Sequence, residues 1–308
     1  MRERPGDAAR PRVETIVLRN GLQAWLHQPH EGISLAWLGQ AGFLLRTGPA
    51  VVLIDPYLSD HLARKYHGRP FPHARMMPAP IEPDQLPRVD LVLCTHRHGD
   101  HMDPGTLPVI ARRHPGCRFV VPAAEREHAT RLPLPPERLL AADAAAPLHP
   151  FGEGGLRIDP LPAAHETLQQ DEHGSHRFLG YVLTVGGLRL YHSGDCVPFA
   201  GLPGLVRAAR PDIALLPVNG RDQERAAAGV PGNFTLAEAL TLCTDGAIPL
   251  LVPHHWGMFA FNTADPDTIH ETAARQAARR AALGQAPVLL VPDARVAWHL
   301  VQTNGRGG

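Results

Sequence analysis

The sequence predicts an α/β fold of four layers, an αββα sandwich in which two mixed sheets pack face to face with helices outside. Three observations predict it. Both halves of the 308-residue chain run through short apolar strands and then helical segments. Runs such as 212–218 and 248–252 are apolar with little alternation, as expected of strands buried on both faces. Histidines and aspartates able to hold a metal stand just past strand ends in both halves, so the halves are expected to share one core.

The elements follow in order. Residues 1–12 are expected to form a disordered N-terminal tail and 304–308 a flexible C-terminal one, around a single domain at 13–303. Segments 33–38, 43–46 and 51–54 read as successive strands joined by glycine-containing turns. Segment 57–88 is proline-rich, has no clean period and is too long for an ordinary connection. It is either a disordered insert or a cap over a site, since it starts just after Asp55 and carries His67, Arg69, His73 and Arg75. The run 89–94 reads as a strand, and 104–113 as a helix with Asp103 as N-cap and Pro104 at its first position. A strand at 118–121 and a helix at 123–131 complete this half. Strands at 156–161, 180–185 and 188–192 open the second half, the last two joined by Gly186-Gly187. Strand 212–218 is followed by a helix from Thr235 to about residue 244, with Glu238 completing a capping box. Strand 248–252, a helix opened by Asp265 with Pro266 at N1 and running to about 283, and strands 288–291 and 296–300 close the chain.

The chemistry centres on Thr95-His96-Arg97-His98-Gly99-Asp100-His101. Three imidazoles and a carboxylate fall within six residues, directly after a strand. His96 and His98, two apart, can clasp one metal ion, while Asp100 and His101 reach a second beside it. Nitrogen and carboxylate ligands without thiolate suit Zn, Mn or Fe(II). Two ions need more donors, and candidates stand past three later strands: His165, Asp195 in a Ser-Gly-Asp turn, and His254-His255.

This set resembles the metallo-β-lactamase-fold hydrolases over nearly the whole chain. Ile54-Asp55-Pro56 looks like that fold's first motif and His96–His101 its second, with His165, Asp195 and His255 as third, fourth and fifth. The spacing fits: 64 residues from His101 to His165, 30 on to Asp195 and 60 on to His255. Within the superfamily the chain resembles the L-ascorbate-6-phosphate lactonase-like branch, on Trp37-Leu38-Gly39-Gln40-Ala41-Gly42-Phe43, Tyr191–Asp195, Leu216–Asp222 and Pro253-His254-His255-Trp256-Gly257. One departure is His165, at a position where the ascorbate-phosphate enzyme lacks histidine, so the substrate does not carry over with the branch.

The resemblance implies roles. His96, His98 and His165 would bind one ion, Asp100, His101 and His255 the other, and Asp195 would bridge them. The cofactors would be two divalent ions, Zn or Mn ahead of Fe. A hydroxide between the ions would attack the electrophile, and Asp100 or Asp195 would pass a proton to the leaving oxygen. Asp55 is expected behind the ligands as partner to an imidazole N–H, or as an Asp-Pro turn former. His254 is expected to hydrogen-bond a ligand from behind, in preference to ligating. Asn219, Arg221 and Trp256 are the candidate substrate contacts. Arg221 could clamp a carboxylate or phosphate, or pair with Asp222, Glu224 or another acid of the chain. Trp256 and Phe259 could wall the pocket or simply pack. Cys196, next to Asp195, invites a ligand role, but adjacent side chains on an extended segment point apart.

Composition excludes other classes. Lys and Arg number 30 and Asp and Glu 30, with no basic run, so nucleic-acid binding has no electrostatic support. No stretch approaches the ~20 apolar residues of a membrane span. The polar start Met1–Pro5 has no apolar core of a signal peptide, and the four cysteines form no C-x-x-C pair. The expected setting is the cytoplasm and the expected partner a small-molecule substrate, with homo-oligomerisation left open. The leading function is a dinuclear hydrolase of a sugar-acid lactone or related small ester. The alternatives are a phosphodiesterase on cyclic nucleotides or phospholipid-like diesters, and a non-catalytic sensor on the same fold. A redox di-iron role is disfavoured, because that group resembles this chain less: it places Glu where His98 stands and carries a flavodoxin-like domain.

Overall fold

The computed structural model describes residues 11–48, 50–283 and 286–302. The first half supplies β1 (Arg12–Val17), α1 (Gly21–Leu26), β2 (Ile33–Gly39), β3 (Gly42–Thr47), β4 (Ala50–Ile54), α2 (His61–Lys65), β5 (Leu91–Leu93), α3 (Leu107–Arg113), β6 (Arg118–Pro122), α4 (Arg126–Arg131) and β7 (Leu139–Ala142). The second supplies β8 (Arg157–Pro162), β9 (Ala164–His165), β10 (Thr167–Leu168), β11 (Leu179–Val185), β12 (Leu188–His192), α5 (Leu202–Ala209), β13 (Ile213–Pro217), α6 (Gln223–Ala227), α7 (Leu236–Asp245), β14 (Leu250–His254), α8 (Pro266–Leu283), β15 (Val288–Leu289) and β16 (Val296–Val301).

The first sheet runs β1-β16-β2-β3-β4-β5-β6-β7 and the second β15-β14-β13-β12-β11-β8. Each is antiparallel on one side and parallel on the other: β4 through β7 are parallel, as are β12 through β15. This is the two-fold echo expected from the sequence. Leu35, Leu45, Val52 and Ile54 from the first sheet and Tyr181, Leu183, Leu190 and Leu216 from the second share one buried cluster. Leu38, Leu44, Leu53, Val92 and Phe119 form a second cluster with Trp25 of α1 and Ile110 of α3, on the outside of the first sheet. Every residue of β2, β3, β13 and β14 is buried, which accounts for their mostly apolar sequences.

Three expectations are corrected. The helix expected at 104–113 starts at Leu107. Asp103 caps nothing there: it accepts from Ser59 N and Oγ (3.2 and 2.8 Å), Gly105 N (2.8 Å) and Thr106 Oγ1 (2.6 Å), which tightens a turn ahead of the helix. The strand expected at 248–252 begins at Leu250, because the Ile248 N–H closes the end of α7 on Cys243 O (2.8 Å). Arg12, assigned to a tail, is the first residue of β1 and pairs with Val301; the rest of that tail up to residue 10, and all of 304–308, lie outside the described residues. The capping box of α7 forms as expected, Thr235 Oγ1 accepting from Glu238 N and Glu238 Oε2 from Thr235 N.

Segment 57–88 is not a disordered insert. It folds around α2 and a 3-10 turn, and Asp103 holds its Ser59 while Arg75 donates to Tyr57 O (3.1 Å) and Ser59 O (3.3 Å).

Candidate metal centre

In each sheet the parallel strands point their C-terminal ends at the same place. Asp55 follows β4, His96 to His101 follow β5, Asp195 follows β12, His255 follows β14, and His165 ends β9. Carboxyl ends of parallel strands are where ligand sites of open α/β sheets collect. His96, His98, His165 and Asp195 offer ligand atoms all within 4.8 Å of one another, and Asp100, His101 and His255 do the same.

The hydrogen bonds behind these residues fix which way their lone pairs face. Asp55 is fully buried, accepts from Thr95 N (2.8 Å) and Thr95 Oγ1 (2.6 Å), and takes the Nδ1–H of His101 (2.7 Å). His165 donates Nδ1–H to Gly232 O (3.0 Å) and His96 donates its own to Thr95 Oγ1 (3.0 Å). Each imidazole then presents an Nε2 lone pair inward. His101 Nε2 lies 3.3 Å from Asp195 Oδ1, and His165 Nε2 and His255 Nε2 each 3.3 Å from Asp195 Oδ2. His96 Nε2 faces His98 Nδ1 at 2.9 Å. Around Asp195 acceptors thus face acceptors, and buried His101 Nε2 and Asp195 Oδ1 have no hydrogen-bond partner. Only positive charge resolves such an arrangement, and the donor set fits divalent cations.

At His96 and His98 the electrostatics favour the neutral form that carries a lone pair. Burial above all, then neighbouring His101 and His98, holds His96 far below the ordinary imidazole range, and His98 is pushed down to about 4 by burial and then His165. Both are neutral at pH 7, with lone pairs free for an ion. His101 goes the other way: burial works against its cation, but Asp195, Asp55 and Asp100 outweigh it.

Gln40 belongs to this site and was not singled out from the sequence, although it lies in the Trp37–Phe43 stretch that carries the family resemblance. It is fully buried between β2 and β3. Its Nε2 donates to Asp100 Oδ2 (2.9 Å) and lies 3.1 Å from His255 Nε2, while its backbone O accepts from His255 N (3.0 Å) and Trp37 Nε1 (3.0 Å).

Four expected contacts lie elsewhere. Arg221 makes a bidentate bond to Glu238 (2.7 and 2.8 Å) and donates to Asn233 O, while Asp222 pairs with Arg225. Its fork is spent on a carboxylate of the chain, the capping acid of α7. Asn219 is buried and donates to Asn262 Oδ1 (2.7 Å), so it backs the cavity wall without reaching the cavity. Trp256 stacks on Trp37 (centroids 5.3 Å apart) and donates to Pro253 O; it is packing. His254, the last residue of β14, turns into the core against His192 (4.7 Å, stacked) and Phe43, and neither of its ring nitrogens has a partner among the described residues. It therefore does not hold a ligand from behind. Cys196 Sγ donates to Val197 O and is not among the clustered donors. All four cysteines are free and buried.

A cavity of about 400 Å³ lies over the centre. His98, Asp100, His165, Asp195 and His255 form part of its lining, Leu62, Lys65, Tyr66, Pro70, Phe71 and His73 of segment 57–88 another part, and residues 228–231, Phe259 and Asn262 a third. Of the four basic residues that suggested a cap, His73 alone lines it.

An αββα sandwich with a His/Asp-lined cavity at its strand ends defines a metal-dependent hydrolase of the metallo-β-lactamase superfamily. The chain belongs to the family described as beta-lactamase superfamily domain, whose profile matches residues 51–256. It is 27% identical over 264 residues to a metal-dependent hydrolase of Archaeoglobus fulgidus, covering 84% of this chain and 96% of that one. Among solved structures it is similar to a metallo hydrolase from Ignicoccus hospitalis (22% identity, TM-score 0.61, 89% of this chain and 99% of that one). It is also similar to an isothiocyanate hydrolase from Delia radicum gut bacteria (17% identity, TM-score 0.64, 85% and 96%). These structural likenesses show the fold. No helix among the described residues is long and apolar enough to cross a membrane.

Proposed function

We propose that this chain opens a lactone, or cleaves a related ester, of a small molecule, using two divalent ions. The observation that carries the reading is the set of inward lone pairs on His96, His101, His165 and Asp195 at the floor of a cavity sized for a small molecule. His96, His98 and His165 would hold one ion, Asp100, His101 and His255 the other, with Asp195 reaching both. Zn or Mn bound there would polarise the scissile carbonyl and lower the pKa of water. The remaining work falls to the chain. The cavity positions the carbonyl over the floor and excludes bulk water. Asp195 and Asp100 are the carboxylates able to take the proton of the attacking water and return it to the leaving oxygen as the C–O bond breaks. The Gln40 amide keeps Asp100 turned towards His255. The Trp37–Phe43 and Pro253–Gly257 motifs support the lactonase-like branch.

The test is to reconstitute the protein with Mn and with Zn and compare a sugar-acid γ-lactone with an activated phosphodiester. Faster lactone opening, lost together with bound metal in Asp195→Asn, is the expected result. The opposite ratio would replace this reading with a phosphodiesterase, and unchanged turnover in Asp195→Asn would overturn it.

A further inference from the structure

Beyond the metal-binding groups and an aliphatic part formed by Leu62, Pro70 and residues 228–231, two kinds of side chain stand out on the cavity lining. Tyr66, Phe71, His73 and Phe259 make an aromatic wall: Tyr66 and His73 stack with centroids 4.2 Å apart, and His73 meets Phe259 edge-on at 4.9 Å. Three of these rings come from the segment after α2 and one from the loop after His255.

The second kind is cationic. Lys65 and Arg97 line the same cavity and both are solvent-exposed. Lys65 makes no ion pair among the described residues; its Nζ stands 5.1 Å from the centre of the Tyr66 ring. Arg97 lies 3.7 Å from Glu125, but that buried carboxylate is shared with Arg177 at 3.1 Å. One negative charge between two guanidiniums leaves positive charge over. Nearby His128, also on the lining, is held below its ordinary range by burial first, with Arg97, Arg131 and Lys65 adding to the effect against Glu125. Lys65, Arg97 and His128 thus share the lining of one cavity.

We propose that the natural substrate is an anion built on a flat aromatic body, its ring lying along Tyr66, His73 and Phe259 and its carboxylate or phosphate meeting Lys65 and Arg97. The cation beside the Tyr66 face puts the two recognition elements about one ring's breadth apart, so the charge is carried on or next to the ring. An aliphatic sugar acid would use the cations and leave the wall idle. The choice of reacting bond rests on the hydrolase reading above; the recognition of an aryl anion does not.

The experiment separates the two. Equilibrium binding of 4-acetamidobenzoate and of its uncharged relative acetanilide, which share a stable amide, is measured by calorimetry on Zn-loaded wild type, Lys65→Ala and Arg97→Ala. The aryl anion is expected to bind about tenfold more tightly than the neutral amide, a preference that falls several-fold in either variant and weakens with salt. Because the ions themselves attract anions, the variants carry the decision: an anion preference equal in all three proteins overturns the inference, as does equal binding of aliphatic 4-acetamidobutanoate. Turnover is then read on 4-acetoxybenzoate and phenyl acetate. Hydrolysis of both without preference refutes the anion site and keeps the hydrolase. Binding with the expected preference but no turnover of any ester keeps the anion site and refutes the esterase.

Discussion

Gln40 makes the sharpest prediction, because it supports one group of ligands and not the other. Its amide is the donor to Asp100 Oδ2 and the neighbour of His255 Nε2, and its backbone carbonyl anchors the His255 N–H. The group of His96, His98 and His165 is supported independently by Thr95 and Gly232. Gln40→Leu keeps the backbone anchor and most of the volume but removes the amide. A hydrogen bond to a charged partner contributes about 1.5–3 kcal/mol. At about 1.4 kcal/mol per decade that is roughly a 10- to 100-fold loss, the range found when an outer partner of a metal ligand is removed. The assay is a two-step Zn titration against a competing chelator, with circular dichroism to confirm folding. One step should fall by that factor and the other stay within about twofold. Equal weakening of both steps, or of neither, would refute the argument that Gln40 serves Asp100 and His255 specifically.

Other outcomes follow from the same contacts. Asp55→Asn should loosen both steps, each by roughly 10- to 100-fold, since Asp55 holds His101 directly and His96 through Thr95; a loss confined to one step in the same titration would contradict this. Arg221 hydrogen bonds bring the Glu238 carboxyl down to about 2, below its ordinary 4.5. A depressed acid stabilises the fold above the unfolded pKa and loses that stability as pH falls towards the folded one. The stability gap between wild type and Glu238→Gln, from urea unfolding, should therefore be full at pH 5–7 and close between about pH 4.5 and 2; a gap independent of pH would rule out the ion pair as its source. Trp256→Phe should cost about 1–2 kcal/mol through its stack on Trp37 and leave KM within about twofold; a raised KM at unchanged stability would return the indole to the pocket.

The candidate ligands were legible because their chemistry admits few residue types and their placement past apolar strands is visible in one dimension. The substrate contacts were not, because adjacency in sequence stood in for adjacency in space. Arg221 follows β13 closely enough to suggest a site residue, but Glu238 lies 17 positions on and faces it. Gln40 was missed for the opposite reason: a neutral amide carries no signal until Asp100, 60 positions away, is set against it. Strand β1 escaped notice because it lies at the sheet edge and only its occasional positions are even half-buried, so its sequence does not alternate. Helices α1, α2 and α6 are of five or six residues, too short to show a 3.6 period.

What one dimension least reveals is strain, and here it is unevenly placed. Gln40, Asp55 and His255 adopt left-handed backbone conformations, at φ 49, 44 and 61°. For a residue with a Cβ this costs about 1–2 kcal/mol, and glycine would avoid it. All three are buried, and all three bear on the group formed by Asp100, His101 and His255: Asp55 through His101, Gln40 through Asp100, and His255 as a member, with Asp55 also reaching His96 through Thr95. None of His96, His98, Asp100, His101, His165 and Asp195 has a positive φ. The chain therefore accepts several kcal/mol of backbone strain at one half of the centre to aim three side chains that glycine does not have. Such a cost persists only where the side chain is needed and the surrounding packing enforces it. The buried sheets on either side supply that enforcement, and this ties the second candidate group to the integrity of the whole sandwich even though Asp100 and His101 both come from the loop after β5.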